Sequence, residues 1–169
     1  MKKILMAAVA LTALGATPAM AATGDSVAVY TVTGNVGAIC SAQATGTIAF
    51  GNLVDTSGTL NATAKEASDT GAYCNGAGTT VKVAHVDLTH KTFSGTVPAG
   101  FVKVVSFVPE ITVGSGATAV TATGDKATAT ALGAFSGLTV KATQPSVASG
   151  KPLAGDYEGS ITVTLTPGA

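Results

Sequence analysis

The chain has 169 residues, no net formal charge, 11% charged residues, 21 glycines, two cysteines and no tryptophan. Its nine basic residues are all lysines, scattered apart from Lys2-Lys3, so the clustered basic footprint that nucleic-acid binding requires is missing. With so few charges, Thr, Ser, Gly and Ala must cover the surface, which suits an extracellular β-protein better than a cytosolic enzyme.

Residues 1–21 have the layout of an export signal. Lys2 and Lys3 form a basic start, Ile4 to Leu14 an apolar run, and Ala19-Met20-Ala21 a small-x-small cleavage site. The run is too short to span a bilayer, and no other stretch approaches about 18 apolar residues, so export through the periplasm without a membrane anchor is expected. Removing 21 residues leaves 148, enough for one domain, and all three methionines leave with the signal.

The mature chain opens on Ser26 to Val36, which alternates like a strand: Ala28, Tyr30, Val32, Gly34 and Val36 share one face, Thr31, Thr33 and Asn35 the other. Cys40 follows. With Cys74 as the only other cysteine in an exported chain, a disulfide closing a loop of 33 intervening residues is expected. Residues 44–52 read as a short strand closed by Gly51-Asn52. Residues 53–72 lack a firm period and allow at most one helical turn, over 62–67. Thr79 to Asp87 alternates, but both of its faces carry apolar and polar groups, so inside and outside stay unassigned.

Phe101 to Pro109 is the most apolar run of the mature chain and is predicted to be a central strand that Pro109 ends. Residues 113–136 read as Gly/Ala/Thr-rich turns, 138–142 as a short strand, and Gln144-Pro145 and Ser149 to Pro152 as loop. The last segment, Gly155 to Thr166, sets Ile161, Val163 and Leu165 strictly against Thr162, Thr164 and Thr166. Seven or eight short strands with Gly, Pro, Asn and Asp between them predict an all-β sandwich. Its expected core is lean: Phe50, Val83, Phe101, Val105, Phe107, Leu138, Tyr157, Ile161, Val163 and Leu165.

Chemistry has few candidates. His85-x-Asp87-x-x-His90 is the one metal-like cluster, yet along a strand His90 leaves the face that His85 and Asp87 share, so solvated strand-end residues are the better reading. No Gly-x-Ser-x-Gly precedes a predicted helix, and Gly114-Ser-Gly116 lacks the third glycine of a dinucleotide loop. Asp156 and Glu158 flank Tyr157 as an exposed polar face. No catalytic residue, cofactor or metal is assigned, and no enzyme is expected.

Both ends carry a resemblance. Val29 to Cys40, followed by Ile48-Ala-Phe-Gly51 and Cys74-Asn75, resembles the opening of spore coat protein U domain proteins and the wider chaperone–usher pilin superfamily. Leu153 to Thr166 looks like that family's closing strand. The resemblance covers about 40 residues at the two ends and is vague over 76–150. It implies an immunoglobulin-like sandwich (38–169) lacking its last strand, preceded by an N-terminal donor-strand extension (22–37). It implies a pilus or fimbria subunit serving adhesion or biofilm, with like subunits, a periplasmic chaperone and an outer-membrane usher as partners. By position, Ala28, Tyr30, Val32, Gly34 and Val36 would be the inward donor residues. One departure is the ending Thr166-Pro-Gly-Ala169, where many pilins carry a penultimate tyrosine that their chaperone grips. A monomeric secreted module binding carbohydrate or another surface ligand is the alternative.

Overall fold

The computed structural model describes residues 29–42, 46–114, 119–130 and 133–168. The predicted export signal and Ala28 lie outside these. The chain divides into two units, Met1–Asn35 and Val36–Ala169. In the first, residues 29–35 are exposed and belong to no strand. Alternation decides which side chains share a face, but only a partner backbone completes a ladder.

The second unit is all-β, with no helix among the described residues. Its strands are β1 (Cys40–Ser41), β2 (Lys65–Cys74), β3 (Thr80–His90), β4 (Phe101–Val102), β5 (Val104–Val113), β6 (Val120–Thr123), β7 (Thr128–Thr130), β8 (Phe135–Ser146), β9 (Lys151–Pro152) and β10 (Tyr157–Thr166). Hydrogen-bonded neighbours run β1-β2-β8-β5-β3-β10, with β6 added to β5 and β7 to β3; β4 and β9 form a separate parallel pair. β5 pairs with β3 through Val104 and Val105, then with β6 through Glu110 to Val113, so β3 and β5 diverge and β3 takes up β7. The sheet curls into a nearly closed, barrel-like form in which β2 and β10 face each other across a groove.

Val81, Val83, Val105, Phe107, Ile111, Val113 and Leu138 are buried, with Ala72, Ala122, Ala129 and Ala142 between them. Ile161, Val163 and Leu165 pack on this core only partly buried. Phe50 and Tyr157 are half-buried. Phe101, expected inside, is 45% exposed, because β4 pairs with β9 and not with the main sheet.

Other expectations are corrected by backbone geometry. Pro109 does not end its strand. Gly124 N donates to Pro109 O, so the side of Pro109 lacking an N–H faces the β6 edge, beyond the last ladder pair at Glu110 and Thr123. β8 likewise runs through Gln144-Pro145, where a bulge opposite Phe107 places Gln144 at a φ of 49°. Residues 65–74 form β2, not a helical turn, and two strands lie within 113–136. Residues 46–52 form no ladder, although Ile48 and Phe50 turn inward.

A bulge also explains the ambiguous faces of β3. Thr89 pairs with Glu158 and Val86 with Ser160, so Asp87 and Leu88 together oppose Gly159 alone. The extra residue switches the inward set from Val81, Val83 and His85 to Leu88 and His90.

Candidate functional site: a groove between two open strand edges

Among the described residues, β10 pairs with β3 on one side only, and the Lys65–Ser68 stretch of β2 pairs with β8 only. Among the described residues, the other edges of β10 and of this stretch have no ladder partner. A groove of about 800 Å³ lies between them, walled by Ala67 to Gly71 and by Ile161 to Val163, and floored by Leu138 and Val140. It adjoins recesses of about 420 and 540 Å³ that continue past Ile48, Phe50 and Leu88 to Tyr157. Apolar side chains at period two beside unpaired backbone give the groove both halves of what an added strand reads.

The lower end of the groove is held by Tyr157. Its hydroxyl lies 3.0 Å from Leu153 O and 3.3 Å from Val102 O, and burial holds it above the ordinary phenol range. His90, paired with Tyr157, has both ring nitrogens occupied by backbone. Nδ1 accepts from the N–H groups of Thr92 and Phe93 at 3.3 and 3.1 Å, and Nε2 lies 3.0 Å from Ala154 O. No residue pattern signals this, since a backbone-capping histidine looks like any other.

At the upper end Cys40 and Cys74 form a disulfide, as a cross-strand pair of β1 and β2. Beside it, Asn75 continues the pairing. Its N–H donates to Ile39 O at 3.1 Å, its Oδ1 accepts from Ile39 N at 2.7 Å, and its Nδ2 donates to Gly37 O at 3.0 Å. Of the positions in the resemblance's donor strand, Tyr30, Val32, Gly34 and Val36 are exposed and in no strand, with Val32 92% accessible.

The other polar cluster does not assemble a catalytic order. Asp87 Oδ1 is 3.2 Å from His85 Nε2, and its Oδ2 accepts the Ser106 hydroxyl at 2.8 Å. The carboxylate therefore sits between serine and histidine, whereas nucleophile activation needs the imidazole there. His85 Nδ1 lies 3.3 Å from Asp125 Oδ1, and the His85 N–H donates to the same oxygen at 3.2 Å. That backbone bond, then the imidazole, holds the Asp125 carboxyl below the ordinary carboxylate range. The cluster fastens the 124–127 turn to β3. His90, with its nitrogens turned to the 92–93 and 154 backbone, is not drawn into it, and no group of three or more acidic, His or Cys side chains among the described residues could hold a metal.

No family model, curated protein or solved structure matches the chain.

Proposed function

We propose that the chain is a structural subunit of a bacterial pilus or fimbria, in which the N-terminal extension of one subunit fills the groove of the next. The observation that carries the reading is the groove itself, floored by Leu138 and Val140, with Ile161 and Val163 in one wall, and bordered by β10 and by the Lys65–Ser68 stretch of β2, whose outer edges have no ladder partner among the described residues. An exposed edge of ten residues is a hazard unless something covers it. The stretch from Ala28 to Val36 has nine residues, about 30 Å when extended, a length suited to β10. Burying Tyr30, Val32, Val36 and Ala28 would contribute on the order of 5–8 kcal/mol before any ladder bonds. A contact of this kind is heterologous and does not close, so repetition gives a filament.

The finer fold in this reading is an incomplete immunoglobulin-like sandwich. In its favour are the way β5 passes from β3 to β6 and the Tyr157 bond to a backbone carbonyl four residues upstream, as in a tyrosine corner. The disulfide suits an oxidising, extracytoplasmic compartment. A periplasmic chaperone would cover the groove before assembly, an outer-membrane usher would order the subunits, and the fibre would serve adhesion or biofilm.

The test is deletion of residues 22–36 with both cysteines kept. The truncated subunit should no longer polymerise, yet should bind a synthetic peptide of residues 26–36. A folded, monomeric protein indifferent to that peptide would refute the proposal and favour the secreted binding module.

A further inference from the structure

By composition, Gly34-Asn-Val-Gly-Ala38 looks like a flexible joint: two glycines and small or polar neighbours with nothing bulky to hold them. The geometry at its C-terminal half is different. Gly37 O and both backbone polar groups of Ile39 are bonded by Asn75, at 3.0, 2.7 and 3.1 Å. Ala38 lies against Gly76, where an added Cβ would meet the Ala38 methyl at 3.3 Å. Cys40 is then tied covalently to Cys74. Each of the four residues 37–40 is thus held by the 74–76 segment. One asparagine side chain substitutes for two residues of ladder, extending the β1–β2 pairing past the point where the backbones separate.

Resting on the donor-strand reading above, we infer that Asn75 is a positioning residue that removes the slack between consecutive subunits and so stiffens the fibre. Val36 is the last inward residue of the extension and Gly37 the first clamped one, so no free residue lies between a strand seated in a neighbour and the domain that supplied it. Without the Asn75 side chain, Gly37 O and the Ile39 N–H lose their partners and the joint loosens at Gly37, while the backbone bond to Ile39 O and the disulfide remain. Seating of the strand depends on Tyr30, Val32 and Val36 and on the groove, none of which the clamp touches. Affinity and stiffness should therefore separate.

The experiment compares the full-length chain with Asn75→Ala. In the isolated subunit, the Ile39 amide of the variant should exchange about tenfold faster, since its acceptor is gone. Uptake of the 26–36 peptide should be unchanged. In electron micrographs of assembled fibres, the persistence length should fall by about twofold or more. Asn75→Asp, which keeps the acceptor for Ile39 and loses the Nδ2 bond to Gly37, should fall between the two and serves if the alanine variant does not fold. Fibres of Asn75→Ala as stiff as wild type would overturn the inference, as would a wild-type Ile39 amide without protection. A wild-type chain that takes up no peptide and forms no fibres is a separate result: it removes the donor-strand reading, and this inference with it.

Discussion

Gly159→Ala tests whether the bulge between β3 and β10 is built into the fold. A Cβ at this position would sit 2.6 Å from Val86 O, 3.0 Å from Asp87 C and 3.1 Å from Asp87 O, all backbone atoms that no rotamer change can move. To reach an ordinary 3.4 Å contact with Val86 O, the two strands must part by about 0.8 Å. Overpacking of this kind costs about 1–3 kcal/mol. For a domain of this size a mid-range 2 kcal/mol lowers Tm by about 4–8 °C. The matched control is Gly46→Ala, whose Cβ would meet only the Ala67 methyl at 3.5 Å, and whose change should stay within about 0.5 kcal/mol. Thermal and urea unfolding of the two purified variants beside wild type would measure this. Equal stability of Gly159→Ala and wild type would refute the reasoning, and so would equal losses in both variants. The stake is larger than one contact, because the bulge is what turns Leu88 inward while Val81 and Val83 also face in.

Three further outcomes are expected. Val163→Asp, in the half-open wall of the groove, should leave a folded monomer by circular dichroism but abolish fibre formation, since a charge must then be buried beneath the incoming strand. Replacing Cys40 and Cys74 by serine should cost about 3.5–4 kcal/mol through the released loop, seen as a urea midpoint lower by about 2 M for a slope near 2 kcal/mol/M. The Asp125 carboxyl lies below its ordinary 3.8 in the fold, so its contribution is present above that value and fades as pH falls through the folded one. Protection of the His85 amide should accordingly decline as pH falls below 3.8 and through the lower folded value, and Asp125→Asn should remove that acid step; an acid step that survives the substitution would exclude Asp125 as its origin.

What could be read from the chain follows how its core is built. β10 was legible because Ile161, Val163 and Leu165 are large and alternate without interruption. β6 and β7 were not, because each buries a single alanine, Ala122 or Ala129, and an alanine between threonines carries no period. β2 was hidden twice: its groove-side positions include Lys65 and Asp69, and a register shift between Asp69 and Tyr73 breaks its alternation. Pro109 misled because its cost depends on which edge its missing N–H faces, a property of neighbouring strands and not of the residue. The cysteine pair needed only a count and a compartment. The groove was not legible as a place at all, since its walls are separated by about 90 residues and meet only when the sheet curls.

The turn at Gly76–Gly78 has a consequence for anyone handling the protein. Ala38 touches it from one side, and Gly168 from the other, with Gly168 O 2.6 Å from where a Cβ on Gly76 would be. The chain therefore enters and leaves the domain at one spot. A few glycines could join those ends, and a new opening in the exposed 94–100 loop would give a circular permutant with every strand retained. Such a permutant would carry its first and last residues near the opposite end of the groove, away from the spot where Ala38 and Gly168 meet the Gly76–Gly78 turn.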